Sequence, residues 1–249
     1  LGAEIVPLAV SPDGFNINEN CGAVHPQIMA AAVVAHGADA GICLDGDADR
    51  LIMADEAGTI IDGDQILGCL ALAMQERGTL AKNAVVGTVM TNRGLETRLG
   101  KAGIDLHRVA VGDRYILEKM RQDGLNLGGE PSGHMLMTDF ARSGDGLLTA
   151  LQMLTLLKTS GKKASKLFNS FSPNPQRLEN LRGINPAILQ DQKLQSDLAN
   201  IEANLNGKGR VLVRPSGTEA LVRVMVEAES EALLTEAMDA LILRITAEA

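Results

Sequence analysis

Apolar and polar positions along the chain change period several times, and each change marks an expected element. The run "AEIVPLAV" (3–10) is strand-like, residues 26–36 carry helical spacing, and the short apolar runs "AGICL" (40–44) and "LIMAD" (51–55) predict strands. A helix is expected over about 62–77, ended by Gly78, and "AVVGTVM" (84–90) follows as a strand. Helix over 92–102, strand over 104–111 ("IDLHRVAV") and helix over 113–123 continue the alternation. "LNLGGEPSGHMLM" (125–137) reads as strand, turn and strand, and a helix over 146–158 ends at "TSGKK".

The order then changes. "FNSFSPNPQ" (168–176) concentrates Ser, Asn and Pro between periodic segments and predicts a linker. Beyond it come strand (177–183), helix (about 186–204), strand (210–214), strand (221–227) and helix (231–246). The fold class is therefore α/β with mixed sheets, followed by a small α+β unit. No internal repeat or low-complexity tract interrupts it.

Composition narrows the function classes. With 249 residues and 45% hydrophobic content the chain can bury a substantial core. The longest apolar run, "ILGCLALAM", is too short to cross a bilayer, and no basic and apolar leader opens the chain, so neither membrane insertion nor export is expected. Cys21, Cys43 and Cys69 are odd in number and lack C-x-x-C spacing, which predicts free thiols in a reducing cytoplasm rather than disulfides or a zinc site. A net charge of −8, 2% aromatics and no Trp argue against nucleic acid. The chain begins at Leu1 and enters an apolar run almost at once, the expectation being a boundary that falls inside a domain.

Three loops carry chemistry. Asp45, Asp47 and Asp49 in "LDGDADRLI" alternate directly after a strand, and like charges so close are unfavourable unless water splays them or a cation draws them together. In an extended loop they share a face and can converge on one hard divalent ion. An EF-hand, with Glu56 as its twelfth position, fails because its sixth position is Arg50 instead of Gly and its flanks are strand-like. In "GGEPSGHM", Glu130, Ser132 and His134 alternate in the same way, a carboxylate and a hydroxyl suited to sugar hydroxyls and an imidazole suited to proton transfer or phosphate contact. In "RPSGTE", Arg214, Ser216, Gly217 and Thr218 form a turn with the donors of an anion nest. Each loop taken alone is also compatible with an ordinary polar turn. Together they supply a cation, a polyol reader and a phosphate clamp.

"DGDADR", "GEPSGH" and "RPSGTE", in this order, resemble the α-D-phosphohexomutases, and "PDGFNINENCGAVHP", "DGDQIL", "GTVMTNRGLE", "VGDRYILEKM", "SGDGLLTALQ" and "LVRVMVE" extend the resemblance over essentially the whole chain. It implies residues 1–61 as the end of a second α/β domain, 62–171 as a third and 172–249 as a TBP-like α+β fourth. It further implies Mg²⁺ on Asp45, Asp47 and Asp49, Arg50 and His134 at the reacting centre, and sugar hydroxyls on Glu130 and Ser132. Arg214, Ser216, Gly217 and Thr218 would grip the phosphate not being transferred, with Gly112 and Arg114 lining the cleft. The implied activity is phosphoryl transfer between two ends of a phosphorylated hexosamine, through a bisphosphate intermediate and a phosphoserine. Glucose or mannose phosphate, or phosphosugar binding without catalysis, stay open alternatives, and a homodimer is compatible with the family. The family's phosphoserine loop is not among these residues, which implies a missing N-terminal domain and no turnover by this chain alone. Pro131, where the family often has Gln or Asn, and Ala48, where Gly is commoner, depart from its pattern.

Overall fold

Regular structure begins at Pro26, where α1 (Pro26–His36) opens on a proline whose missing N–H costs a first helical turn nothing. A computed structural model describes residues 2–216 and 221–247, and the chain divides into two compact units, Leu1–Ser172 and Pro173–Ala249. The strand expected over 3–10 does not form. Pro7 lacks an N–H, Ala9 takes a left-handed φ of 53°, and Ile5 and Val10 stand exposed with no strand beside them among the described residues.

In the first unit, β1 (Ala40–Leu44), β2 (Leu51–Asp55) and β3 (Ile60–Ile61) form an antiparallel sheet in that order. All five residues of β2 are buried, so its apolar run does not alternate with polar residues. The reason is cover on both faces: Ile52 and Ala54 pack with Met29 and Val33 of α1, whereas Leu51 and Met53 join the main core.

That core is organised by α2 (Gly63–Glu76), which Asp62 caps by accepting from Gln65 N at 2.9 Å. The second sheet runs β5-β4-β6-β7, with β4 (Ala84–Thr88) parallel to β5 (Asp105–Val109) and β6 (Leu127–Gly129), and β7 (Met135–Met137) antiparallel to β6. The crossover helices α3 (Arg93–Lys101) and α4 (Asp113–Asp123) join the parallel strands. One face packs Val86 against Ile116 and Met120 of α4, and Val85 and Leu127 face the core shared with α2, α3 and α5 (Gly146–Ser160). After β4 the chain steps to one side, then to the other, so the carboxyl ends of β4, β5 and β6 surround a switch point. A short helix, α6 (Ala164–Leu167), leads past Phe168 to Ser170 and Phe171, which Gln65 holds by donating to Phe171 O at 2.9 Å and accepting from Ser170 N at 2.8 Å.

In the second unit β8 (Gln176–Arg182), β10 (Leu221–Ala228) and β9 (Gly209–Pro215) make an antiparallel sheet in that order. Val222, Val224 and Val226 alternate onto α7 (Gln192–Asn204) and α8 (Glu231–Ala247). The single helix expected over 186–204 is two pieces, a 3₁₀ turn Pro186–Gln190 and α7. Asp191 breaks it, extended in backbone and accepting from Leu194 N at 2.8 Å, because a short carboxylate competes with the helix for its own N–H groups. No helix among the described residues is long and apolar enough to cross a membrane.

All three thiols are free. Burial pushes Cys69 up to about 12 and Cys43 up to about 11, so neither offers thiolate near neutrality. Cys21 is half-buried. Iodoacetamide at pH 8 is expected to modify Cys21 and to spare Cys43 and Cys69 until denaturant is added, as read by intact-mass spectrometry. Labelling of Cys69 at the rate of Cys21 would contradict this packing.

Candidate functional site

The loop 45–50 leaves β1 at Leu44 and re-enters the sheet at the paired Leu51. It is a turn and not the extended segment expected from alternation: Ala48 N donates to Asp45 O at 3.2 Å and Ala48 sits at φ 61°. Six residues cannot join antiparallel neighbours without reversing, and the reversal itself gathers the carboxylates. One ligand oxygen from each of Asp45, Asp47 and Asp49 lies within 4.8 Å of the others. Arg50 closes the loop, its N–H donating to Asp45 Oδ1 at 3.1 Å while its Nε lies 3.6 Å from Asp45 and 3.8 Å from Asp49.

Asp49 is the most constrained of the three. Burial raises its carboxyl above the usual carboxylate range; His134 opposes that rise, Asp45 and Asp47 reinforce it, and Arg50 opposes it in turn. Its Oδ2 meets His134 Nδ1 at 3.1 Å, and its buried Oδ1 has no hydrogen-bond partner. An all-oxygen carboxylate set with a buried oxygen left over fits a hard divalent cation. Glu56, the last position of the rejected EF-hand, is turned elsewhere, accepting from Ser165 N at 2.9 Å and Ser165 Oγ at 2.5 Å.

The second loop is a tight turn between β6 and β7, with Gly133 N donating to Glu130 O at 3.0 Å and Glu130 N to His134 O at 3.0 Å. Its three polar side chains do not share one environment, contrary to the expectation from alternation. Ser132 Oγ donates to Glu130 Oε2 at 3.0 Å, and Gly112 N donates to Glu130 Oε1 at 2.9 Å, whereas His134 is buried against Asp49. The turn shifts the period, so the third residue faces the aspartate loop. Gly112 stands at the end of the β5 connection and Glu130 at the end of β6, so their bond spans the carboxyl edge of the parallel sheet. Arg114 lies exposed in the first turn of α4.

Backbone bonds lock these loops to each other. Leu51 N donates to Gly133 O at 3.1 Å, Arg50 and His134 form an antiparallel bridge, and Gly63 N at the start of α2 donates to Pro131 O at 3.1 Å. Gly133 has φ 93°, and a Cβ there would lie 2.1 Å from Leu51 O, so the position tolerates no side chain. A cavity of about 390 Å³ along the C-terminal half of α4, lined in part by Leu117, Met120 and Arg142, contains none of these residues.

The third loop belongs to the second unit. Arg214, next to the last residue of β9, lies directly opposite Arg223 of β10, so two guanidinium groups share one face of the sheet, and Ser216 N donates to Leu221 O at 2.9 Å. Gly217 and Thr218 lie outside the described residues. Arg223 was not singled out from the sequence. Its signal was the strand register, which places it across from Arg214 only once the hairpin is known.

These features define a class: a parallel-sheet α/β unit with a carboxylate loop and a polyol-type loop bolted together, and an α+β unit with a basic hairpin. Comparison with known proteins carries this further. Residues 62–174 match the family profile "Phosphoglucomutase/phosphomannomutase, alpha/beta/alpha domain III", and residues 175–244 match the same family's C-terminal domain. The chain belongs to the phosphoglucomutase/phosphomannomutase family. Phosphoglucosamine mutase of Roseobacter denitrificans is 54% identical over 243 residues, covering 97% of this chain and 54% of that protein, and that of Ruegeria sp. is 51% identical over 248 residues, covering 99% and 56%. The chain thus spans about half the length of the curated relatives it matches. A solved phosphoglucomutase/phosphomannomutase family protein of Burkholderia thailandensis superposes with a TM-score of 0.76 at 25% identity, over 90% of this chain and 50% of its own. Aspergillus fumigatus N-acetylphosphoglucosamine mutase, solved with GlcNAc-6P and magnesium, shares the fold with a TM-score of 0.71 at 20% identity, over 91% and 53%.

Two substitutions test the loop geometry. Ala48→Gly relieves a left-handed alanine and is expected to stabilise the chain by about 0.5–1 kcal/mol, the relief of roughly 1–2 kcal/mol being offset in part by the freer unfolded chain. Gly133→Ala should cost more than about 2 kcal/mol. Urea titrations read both, and an unchanged midpoint for Gly133→Ala would contradict the close approach to Leu51.

Proposed function

We propose that this chain is the substrate-binding and cation-binding portion of a phosphoglucosamine mutase, which interconverts glucosamine 6-phosphate and glucosamine 1-phosphate on the way to UDP-N-acetylglucosamine and peptidoglycan precursors in the bacterial cytoplasm. The observation that carries the reading is the direct backbone link between the three-aspartate loop and the Glu130–Ser132 turn. Such a link sets a fixed distance between a phosphoryl-handling centre and a sugar reader, which a sugar phosphomutase requires. In this reading residues 1–61, 62–171 and 172–249 correspond to the end of the second domain, the third and the fourth.

Each residue then has a part. Asp45, Asp47 and Asp49 would hold Mg²⁺, which would supply positive charge for a phosphoryl group in transit. Arg50, already ion-paired to two of them, adds a second positive charge beside that group. Glu130 and Ser132 exchange their mutual hydrogen bond for bonds to sugar hydroxyls, while the Gly112 N–H keeps one carboxylate oxygen of Glu130 aimed. Arg114 lines the same rim. Arg214 and Ser216, with Gly217 and Thr218, grip the phosphate that stays on the sugar. A phosphoserine outside these residues passes its phosphoryl to the free end of the sugar phosphate; the resulting bisphosphate turns over and returns its other phosphoryl to the serine.

Turnover should be measured in the protein that carries both this chain and the serine, with glucosamine, glucose and mannose 6-phosphates compared. Preference for glucosamine 6-phosphate is expected, and preference for either other sugar would overturn the assignment. Arg214→Ala should weaken binding of glucosamine 6-phosphate by about 1.5–3 kcal/mol, roughly 10- to 150-fold, as measured by calorimetry. Unchanged affinity would remove the hairpin from the phosphate site.

A further inference from the structure

Asp113 stands between Gly112 and Arg114 and has no part in the chemistry described so far. Among residues 89–93, 110–113 and 130–134, which leave the carboxyl ends of β4, β5 and β6, only Asp113 and Glu130 are acidic. Both oxygens of Glu130 are engaged, Oε1 by Gly112 N at 2.9 Å and Oε2 by Ser132 Oγ at 3.0 Å. Asp113 differs. Its Oδ1 accepts from Arg114 N at 2.6 Å, while its Oδ2 makes no hydrogen bond or ion pair among the described residues.

A carboxylate in the first turn of a helix is favoured by the helix dipole, and α4 opens on Asp113. The Oδ1 bond already serves that role. It leaves the second oxygen in solvent, with no cation among the described residues ion-paired to it; Arg114, its neighbour, is exposed. The place of Asp113 is fixed nonetheless. Gly112 stands at φ 133°, a conformation that L side chains rarely adopt, and Tyr115 N donates to Gly112 O at 3.1 Å, so the start of α4 is set at the same residue whose N–H aims Glu130. A sugar ring resting on Glu130 and Ser132 has Asp113 at its side.

Glucosamine phosphates differ from glucose phosphates in one group, an amine in place of a ring hydroxyl, and near neutrality that amine is largely ammonium. A hydroxyl and an ammonium can both donate to Glu130, whose oxygens are already shared with other donors. A second carboxylate with an idle oxygen separates them by charge, since a charge-assisted hydrogen bond is roughly twice as strong as a neutral one. We propose that Asp113 is the residue that selects the amino sugar, its Oδ2 pairing with the ammonium of glucosamine 6-phosphate held on Glu130 and Ser132. This assignment rests on the phosphosugar reading of that turn.

The test compares kcat/KM for glucosamine 6-phosphate and glucose 6-phosphate in the protein that carries both this chain and the serine. Parent, Asp113→Asn and Asp113→Ala are measured, each checked for folding by thermal unfolding. Asparagine keeps the size and the acceptor for Arg114 N and removes only the charge. In both variants the preference for glucosamine 6-phosphate over glucose 6-phosphate is expected to fall roughly 10-fold or more, through a raised KM for the amino sugar alone. Equal losses on both sugars would assign Asp113 to the start of α4 and overturn the proposal while the phosphosugar reading stands, and so would an unchanged preference. A parent protein that prefers glucose 6-phosphate would overturn the glucosamine reading and this assignment with it.

Discussion

Three carboxylates, each with an oxygen within 4.8 Å of the others, repel. Arg50 is ion-paired to the cluster through long contacts, at 3.6 and 3.8 Å, and His134 Nδ1 meets Asp49 Oδ2 at 3.1 Å. The turn 45–50 is fixed by the Ala48 N–H bond to Asp45 O and the Arg50 N–H bond to Asp45 Oδ1. Asp49 registers the conflict as a raised carboxyl whose buried Oδ1 has no hydrogen bond and only the 3.8 Å approach of Arg50 Nε. On the reading proposed above, a divalent cation would resolve the repulsion.

The rest of the first unit serves to hold this arrangement against the Glu130–Ser132 turn. β2 is buried on both faces, which anchors Leu51, and Leu51 N in turn grips Gly133. The parallel strands deliver Gly112 and Glu130 to one edge, where a single hydrogen bond joins two connections that are 18 residues apart. α2 begins under the same turn, through Gly63 and Pro131, and its next side chains fix the exit of the unit through Gln65. The aspartate loop and the Glu130 turn are therefore mechanically one object.

Much of this was legible in the sequence because it depends on local chemistry. Gly78 as a stop and the apolar runs of β1, β2 and β4 locate the elements wherever nearby residues decide the outcome. Errors fell where distant partners decide it. Residues 3–10 have strand composition but no neighbour to pair with, and Asp191 splits a helical stretch by capping its second half. At the site, residue types were readable, but which residues meet was not. Alternation placed His134 beside Glu130 and Ser132; the Gly133 turn sends it to Asp49 instead. Arg223 acquires meaning only through register with Arg214.

The most direct measurement is a crystal structure of the chain grown with Mn²⁺, recorded at a wavelength where manganese scatters anomalously. One peak at coordinating distance from an oxygen of each of Asp45, Asp47 and Asp49, with Asp49 Oδ2 still bonded to His134, is the predicted result. Carboxylates turned apart into solvent, with no anomalous peak between them, would contradict it.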